Sequence, residues 1–312
     1  MQEQYNKIKE KYKDYILLFR LGDFYEAFHN DAEVLSRILG ITLTGRGKNE
    51  DRIPMAGIPC HALNNYIPRI LEHKLKIAIA DQLEEPKPGK LVNREVTRII
   101  TPGTITDDKL IEDSKNNFIA SILVENVSKQ DKYHFSLAYS DITTGEVYEF
   151  VGDNLISLQK EILKVNPSEI IIEKSCYLMI SNILENFFIN QLDDEYVTLE
   201  EALQIIKSTF SVYDIRSLGL TEGNYLSIKS LATLLKYFND VQKKNLEYIK
   251  FLKRYDYHKT MQLDYQTIKN LEIFDSQNKQ ISLYDVINKC QNPMGKRLLR
   301  KRIQRPFKDS EI

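Results

Sequence analysis

The stretch ILLFRLGDFYEAF, Ile16 to Phe28, decides how the N-terminal third of this chain is read. Ile16-Leu17-Leu18-Phe19 reads as a short buried strand, because an unbroken apolar run suits a strand covered on both faces. Gly22-Asp23 is a turn signal, so Phe24 to Phe28 returns as the second strand of a hairpin. Side chains alternate along a strand, which puts Phe24, Glu26 and Phe28 on one face and Tyr25 and Ala27 on the other. On a helix Phe24 and Glu26 would diverge. An aromatic ring with a carboxylate two residues on, beside a tight turn, can wedge between stacked bases while the acid tests a base edge. The unstacking it requires is least costly where pairing is already weak, so that difference itself detects a mismatch. A carboxylate near DNA fits only if it meets a base donor or carries a proton. The same pattern also fits two core aromatics flanking a solvated Glu26.

Working outward, residues 5–15 carry charge at helical spacing. After Asn30 or Asp31 as N-cap, Ala32, Leu35 and Ile38/Leu39 recur at helix period, and Gly40 stops the helix. Ile41 to Thr44 is expected as a strand and Gly45 to Arg52 as a polar loop. Pro54 to Pro59 is too rich in Pro and Gly for a regular element. A helix is expected from Asn65 to His73 with Pro68 in its first turn. Ile77 to Ala80 and Glu95 to Ile100 then read as strands of the same sheet. Residues 1–106 thus form a mixed α/β domain, and 107–117, polar and acidic, a linker. Strand-like stretches at Phe118 to Val124, Tyr133 to Tyr139, Val147 to Val151 and Glu169 to Ile172 follow. With helices near Leu155 to Lys164 and Tyr177 to Phe187, they make a second α/β domain over 118–220. From 221 to 312 the pattern is helical, through the stripe Leu226, Leu231, Leu234, Leu235 and Phe238 to a basic amphipathic segment, Lys296 to Arg305.

A length of 312 residues implies two or three domains. Hydrophobic residues at 42% and charged residues at 28% argue against wholesale disorder or a fibrous repeat. No apolar run is long enough to span a bilayer, and the charged segment Met1 to Lys13 excludes a secretory signal. Cys60, Cys176 and Cys290 are too far apart to pair as CxxC, which fits a reducing, cytoplasmic setting. Lys and Arg number 16 against 14 Asp and Glu over 1–105, 10 against 21 over 106–235, and 17 against 9 over 236–312. A polyanion would be repelled by the middle block and tolerated or attracted by the outer two. Arg46, Lys48 and Arg52 are candidate phosphate contacts, which position a duplex without reading its sequence. Met55 is a candidate second apolar contact.

The segment Gly22 to Phe28 resembles the N-terminal mismatch-recognition domain of the MutS family, whose Phe-x-Glu motif matches Phe24, Tyr25 and Glu26. The resemblance continues through Leu43 to Gly47, Pro54 to Ala62, Lys76 to Pro86 and Arg94 to Thr104. It weakens over 118–235, where the order of elements and SDITTGE (Ser140 to Glu146) resemble the family's connector, and returns at Leu263 to Ile273 and Asn292 to Ile303. Departures at Cys60 and Ala80-Asp81 lie outside the Phe24–Glu26 pair. The resemblance implies an α/β fold class: an N-terminal mixed-sheet mismatch-recognition domain, a ribonuclease-H-like connector, and the start of an all-helical core domain. It further implies that Phe24 stacks on a mispaired or unpaired base from the minor-groove side of a kinked duplex while Glu26 hydrogen-bonds to that base. The implied partners are double-stranded DNA with mismatches or small loops, a second copy in the full-length family, and a MutL-type repair protein through the connector. The implied setting is the bacterial cytosol, nucleoid-associated. ATP and Mg²⁺ belong to the full-length family, a weak DNA-dependent ATPase. No cofactor is expected in this chain. The rival expectation is a paralogue that keeps the fold as a protein-interaction scaffold in recombination or repair, with the acidic connector as its surface.

No catalytic constellation is expected. A P-loop needs GxxxxGK[ST], and Gly47-Lys48, Gly89-Lys90 and Gly295-Lys296 are followed by Asn, Leu and Arg. His29, His61, His73, His134 and His258 lack metal spacing. Asp141 sits where a ribonuclease-H-like nuclease would hold Mg²⁺, but Glu146, Glu149 and Asp153 offer no evident convergence on it.

Overall fold

The computed structural model describes residues 1–47, 52–84, 92–105, 115–128, 132–242, 248–254, 260–261, 263–276 and 281–308. The chain divides into two compact units, Met1–Ile105 with Asn239–Lys244, and Thr106–Phe238 with Asn245–Ile312. Most of the expected linker, 106–114, lies outside the described residues.

The first unit runs α1 (Gln2–Lys11), β1 (Tyr15–Leu21), β2 (Phe24–Phe28), α2 (His29–Leu39), β3 (Thr44–Arg46), β4 (Ile53–Pro59), α3 (Leu63–Glu72), β5 (Lys76–Gln82) and β6 (Arg94–Ile100). These strands make one sheet in the order β3-β4-β2-β1-β5-β6. β1 pairs parallel with β5 and the other neighbours are antiparallel, so the sheet is mixed. The hairpin forms where Gly22-Asp23 places it: Leu21 pairs with Phe24, and Gly22 takes φ +59, the left-handed value a two-residue hairpin turn requires of its first residue. Leu17, Leu18 and Phe19 are fully buried at the middle of the sheet.

The fold departs from expectation at four places in this unit. Helix α2 starts at His29 with Phe28 as its cap rather than Asn30 or Asp31. Asp31 is instead drawn inward, where its carboxylate accepts from the Leu17 amide at 3.0 Å, the Tyr5 hydroxyl at 3.3 Å and the Lys9 ammonium at 2.9 Å. Ile53–Pro59 is a strand between β2 and β3, not an irregular segment. Its prolines sit near the two ends, Pro54 opposite Gly45 and Pro59 opposite Phe24, leaving the amides between them free to pair. The strand expected at Ile41 to Thr44 forms at Thr44–Arg46, inside the stretch expected as loop, because that is the part that pairs with β4. Helix α3 begins earlier than expected, after a 3₁₀ turn at Cys60–Ala62, so Pro68 lies inside it rather than in its first turn. The helix survives the lost backbone bond because Leu63, Ile67, Ile70 and Leu71 are all buried.

The second unit runs β7 (Phe118–Ser128), β8 (Lys132–Asp141), β9 (Glu146–Gly152), α4 (Leu155–Val165), β10 (Glu169–Glu173), α5 (Lys174–Leu184), β11 (Ile189–Leu192), α6 (Leu199–Phe210), α7 (Tyr225–Gln242), β12 (Leu252–Arg254), α8 (Tyr265–Asn270), α9 (Leu283–Ile287) and α10 (Pro293–Gln304). Its sheet has the order β11-β10-β7-β8-β9-β12. β7, β8 and β9 form an antiparallel meander, and β10, β11 and β12 each pair parallel with a neighbour. Helix α5 spans Lys174–Leu184, earlier than the expected Tyr177 to Phe187. β12 is a strand within a region read as wholly helical; it forms by adding Leu252–Arg254 to the edge of β9. Helix α7 lies on this sheet: Ser230 and Ser136 share a hydrogen bond at 2.6 Å, and the Tyr237 hydroxyl donates to Glu169 at 2.5 Å. Asn190 in turn donates to the Tyr237 hydroxyl at 2.8 Å. Among the described residues no helix is long and apolar enough to cross a membrane.

Candidate nucleic-acid interface

Residues of one strand face pass from solvent to core along β2. Phe24, beside the turn, is 45% exposed; Phe28, at the other end, is 1% exposed and meets the Tyr5 ring edge-on at 5.0 Å between centroids. Glu26 lies between them, opposite Phe19 of β1 and Gly57 of β4. Gly57 leaves the surface between ring and acid open. A Cβ there would touch Phe24 Cδ1 at 3.5 Å and Glu26 Cγ at 3.6 Å. Sequence reasoning did not single out Gly57; its signal was the cross-strand register, which requires knowing that β4 exists.

The opposite face anchors the strand. The Tyr25 hydroxyl donates to Asp81 at 2.8 Å, Thr97 donates to the other Asp81 oxygen at 2.6 Å, and Arg20 stands 3.7 Å from Asp81. Burial, reinforced by the bond to Asp81, pushes the Tyr25 hydroxyl pKa well up, so it stays a donor. These contacts hold β2 from behind and leave Phe24 and Glu26 on the free side.

Glu26 is electrostatically under-satisfied. Its side chain is 19% exposed, and Oε2 is buried with no hydrogen-bond partner among the described residues. Arg46 Nη1 stands 4.0 Å away. Burial raises the carboxyl pKa, Arg46 pulls it back, and the net direction is up. A carboxyl so placed can hold a proton and donate, or stay ionised and accept.

Of the other candidate contacts, the strand register puts Arg46 and Met55 on the Phe24 face of the sheet and Arg52 on the opposite face, where it covers Gly45. Arg46 ends β3 with its side chain 53% exposed, and Arg52 is exposed and lies against Gly45. Lys48 lies outside the described residues. Met55 is half-buried opposite Phe28 and Thr44, four positions along β4 from Pro59, the partner of Phe24. At ~3.3 Å per residue that separates Met55 from the Phe24 row by roughly 13 Å.

In the second unit Asp141 is buried and both its oxygens are engaged. Thr143 donates its amide at 2.9 Å and its hydroxyl at 2.6 Å to one, and Asn116 donates at 2.8 Å and the Asn117 amide at 3.1 Å to the other. Glu146 pairs with Lys253 and Lys301, and Glu149 with Arg254. Asp141 and Glu146 are cross-strand partners, but each is engaged by its own donors and Glu149 lies on the other face of β9; among the described residues no group of three or more His, Cys, Asp and Glu could hold a metal ion.

Comparison with known proteins follows the same division. Family models described as MutS domain I, MutS domain II and MutS domain III match residues 1–109, 117–250 and 266–312. The chain belongs to the MutS family. Among its relatives, the DNA mismatch repair protein MutS of Syntrophomonas wolfei is 36% identical over 99% of this chain and 37% of its own length. The MutS proteins of Thermosipho melanesiensis and Caldicellulosiruptor bescii are 38% and 39% identical over 100% and 99% of this chain, and over 36% and 35% of their own lengths. The chain thus spans little more than a third of the MutS relatives it matches. Phe24, Glu26, Arg46, Arg52 and Met55 all fall in MutS domain I, and the meander with its helices in MutS domain II.

Proposed function

We propose that this MutS chain binds mismatched DNA, with Phe24 as the probing ring and Glu26 as the acid that engages the exposed base. The observation that carries the reading is the pairing of a ring 45% exposed with a neighbouring carboxyl oxygen that is buried and lacks a hydrogen-bond partner among the described residues. The ring has an open path to a duplex, and a base edge would complete the hydrogen bonding of Glu26. Arg46 supplies a phosphate contact beside the pair, with Lys48 and Arg52 as further candidate phosphate contacts in the same segment and Met55 as a more distant apolar contact.

The remaining assignments concern the longer protein of which the relatives are examples. ATP and Mg²⁺ binding, weak DNA-dependent hydrolysis, a homodimer, docking of a MutL-type protein on domain II and a cytosolic, nucleoid-associated location are proposed for it. We also propose that the connector extends through α7, which bonds to its sheet, rather than ending at 220.

The test is binding of the chain to otherwise identical paired and single-mismatch duplexes, measured by fluorescence anisotropy. Preference for the mismatch, lost in Phe24→Ala and reduced in Glu26→Gln, is the expected result. Equal affinity for both duplexes, unchanged in Phe24→Ala, would overturn the reading and favour the scaffold alternative, for which the acidic middle block is the candidate surface.

A further inference from the structure

The second unit contains a cavity of about 120 Å³ where α10 lies over the end of α4 and the first strands of the sheet. Phe118 and Tyr139 line its aromatic part. Six cationic side chains complete it, from Lys115, Lys164, Arg297, Arg300, Lys301 and Arg305, and the lining contains no carboxylate. Five of these are engaged by contacts of their own, three of them as follows. Lys301 pairs with Glu146, Arg305 pairs with Glu161, and Arg300 stacks over the Phe274 ring at 4.1 Å.

Lys164 differs from these. It is 6% exposed, and its ammonium makes no ion pair or hydrogen bond among the described residues; only its backbone carbonyl is used, accepting from Gln304. The side chain as a whole is largely withdrawn from water, and its ammonium stands in a lining that is otherwise cationic, which favours an anion there. Burial lowers its pKa first and the nearby Arg305 lowers it further, against a partial upward pull from Glu161 and Asp264. Lys301 shows the same crowding: burial lowers it, Glu146 restores part, and Lys253 and Arg305 push it down again.

We propose that this cavity is a binding site for a small phosphate-class anion, which gives the Lys164 ammonium an anionic partner and neutralises the cationic lining. The volume accommodates a phosphate or pyrophosphate group. Phosphate chemistry could also arrive as the backbone of a nucleic acid, but a recessed, nearly buried lysine suits a free anion that can enter. Duplex contacts draw on protruding side chains. Because α10 contributes four of the six cations, counting Arg305 at its C-terminal cap, an occupied site would hold that helix to the sheet. The site is independent of Phe24 and Glu26, so either reading can fail without the other.

The experiment is calorimetric titration of the chain with sodium pyrophosphate, and separately with inorganic phosphate, in chloride buffer at matched ionic strength. Expected is one saturable site, weakened about tenfold or more in Lys164→Met, as loss of a charge-assisted bond implies. Arg297→Gln should weaken it as well, which keeps the test decisive should Lys164→Met fail to fold by near-ultraviolet circular dichroism. Arg302→Gln, which removes an exposed cation of the same helix outside the cavity, should leave it unchanged. Absence of binding, or equal weakening by all three variants, overturns the proposal. So does a Lys164→Met chain that loses affinity for a short duplex while the parent ignores both free anions, since the cavity would then serve a nucleic-acid backbone.

Discussion

Arg46 Nη1 stands 4.0 Å from Glu26 Oε2, too far for a hydrogen bond yet near enough to oppose the rise in carboxyl pKa that burial causes. Removing the guanidinium therefore lifts the Glu26 titration midpoint further above the ordinary 4.5. Carbon-13 NMR titration of the Glu26 carboxyl in the parent and in Arg46→Gln checks this. With its folded pKa raised, Glu26 contributes stability that is full below its unfolded pKa and is lost as pH rises through the folded value. Glu26→Gln removes that pH dependence. A parent midpoint at or below the ordinary value would contradict the burial argument.

Phe24 and Phe28 share a strand face and should behave oppositely. Phe24→Ala leaves the thermal stability of the first unit within about 0.5 kcal/mol, as for a surface change, and lowers mismatch affinity by the worth of one stacked base, about 1–3 kcal/mol. Phe28→Ala empties a buried site and costs about 3–5 kcal/mol. Denaturant unfolding beside duplex binding separates the two; a large stability loss in Phe24→Ala would mark that ring as core.

Asp31 ties α1, β1 and α2 together through Tyr5, Lys9 and Leu17. Asp31→Ala strands these donors and should destabilise the first unit by about 3 kcal/mol, whereas Tyr5→Phe removes one bond and costs about 1 kcal/mol. Urea midpoints for the two variants test the ratio.

Gly22 has φ +59 and open space around the position of a Cβ. Gly22→Ala therefore acts through backbone strain alone, about 1–2 kcal/mol, and loosens the turn that presents Phe24. Hydrogen exchange at the hairpin amides should quicken while α3 amides stay protected. Uniform loss of protection would mean the turn is not a local feature.

Burial pushes the Glu146 carboxyl up, but the ammonium groups of Lys301 and Lys253 more than offset this and hold it at about 2. A depressed folded pKa gives stability that is present above the unfolded value near 4.5 and lost as pH falls through about 2. Acid unfolding of the second unit, followed by circular dichroism, should be shallower between these limits in Glu146→Gln than in the parent.

Part of the fold and of the candidate site is legible in the amino-acid sequence. The turn at Gly22-Asp23, the alternation that pairs Phe24 with Glu26, and the stop at Gly40 depend on neighbouring residues, so local steric rules suffice for them. Pro54 to Pro59 misleads for the opposite reason: proline counts against a strand by its local chemistry, yet its placement near the strand ends leaves the pairing amides intact. Asp31 has the residue type and position to cap its own helix, and distant donors from Tyr5, Lys9 and Leu17 claim it instead.

The sequence alone determined that a ring and an acid share one face beside a tight turn, because alternation along a strand is a property of the chain itself. Only the tertiary structure decided that Phe24 is exposed while Phe28 is buried, and that Glu26 Oε2 has lost water without gaining a hydrogen bond among the described residues. It alone brought Lys164 into a cavity walled by α10. Exposure and partnership are set by segments far apart in the chain, and no local pattern encodes which of them will meet.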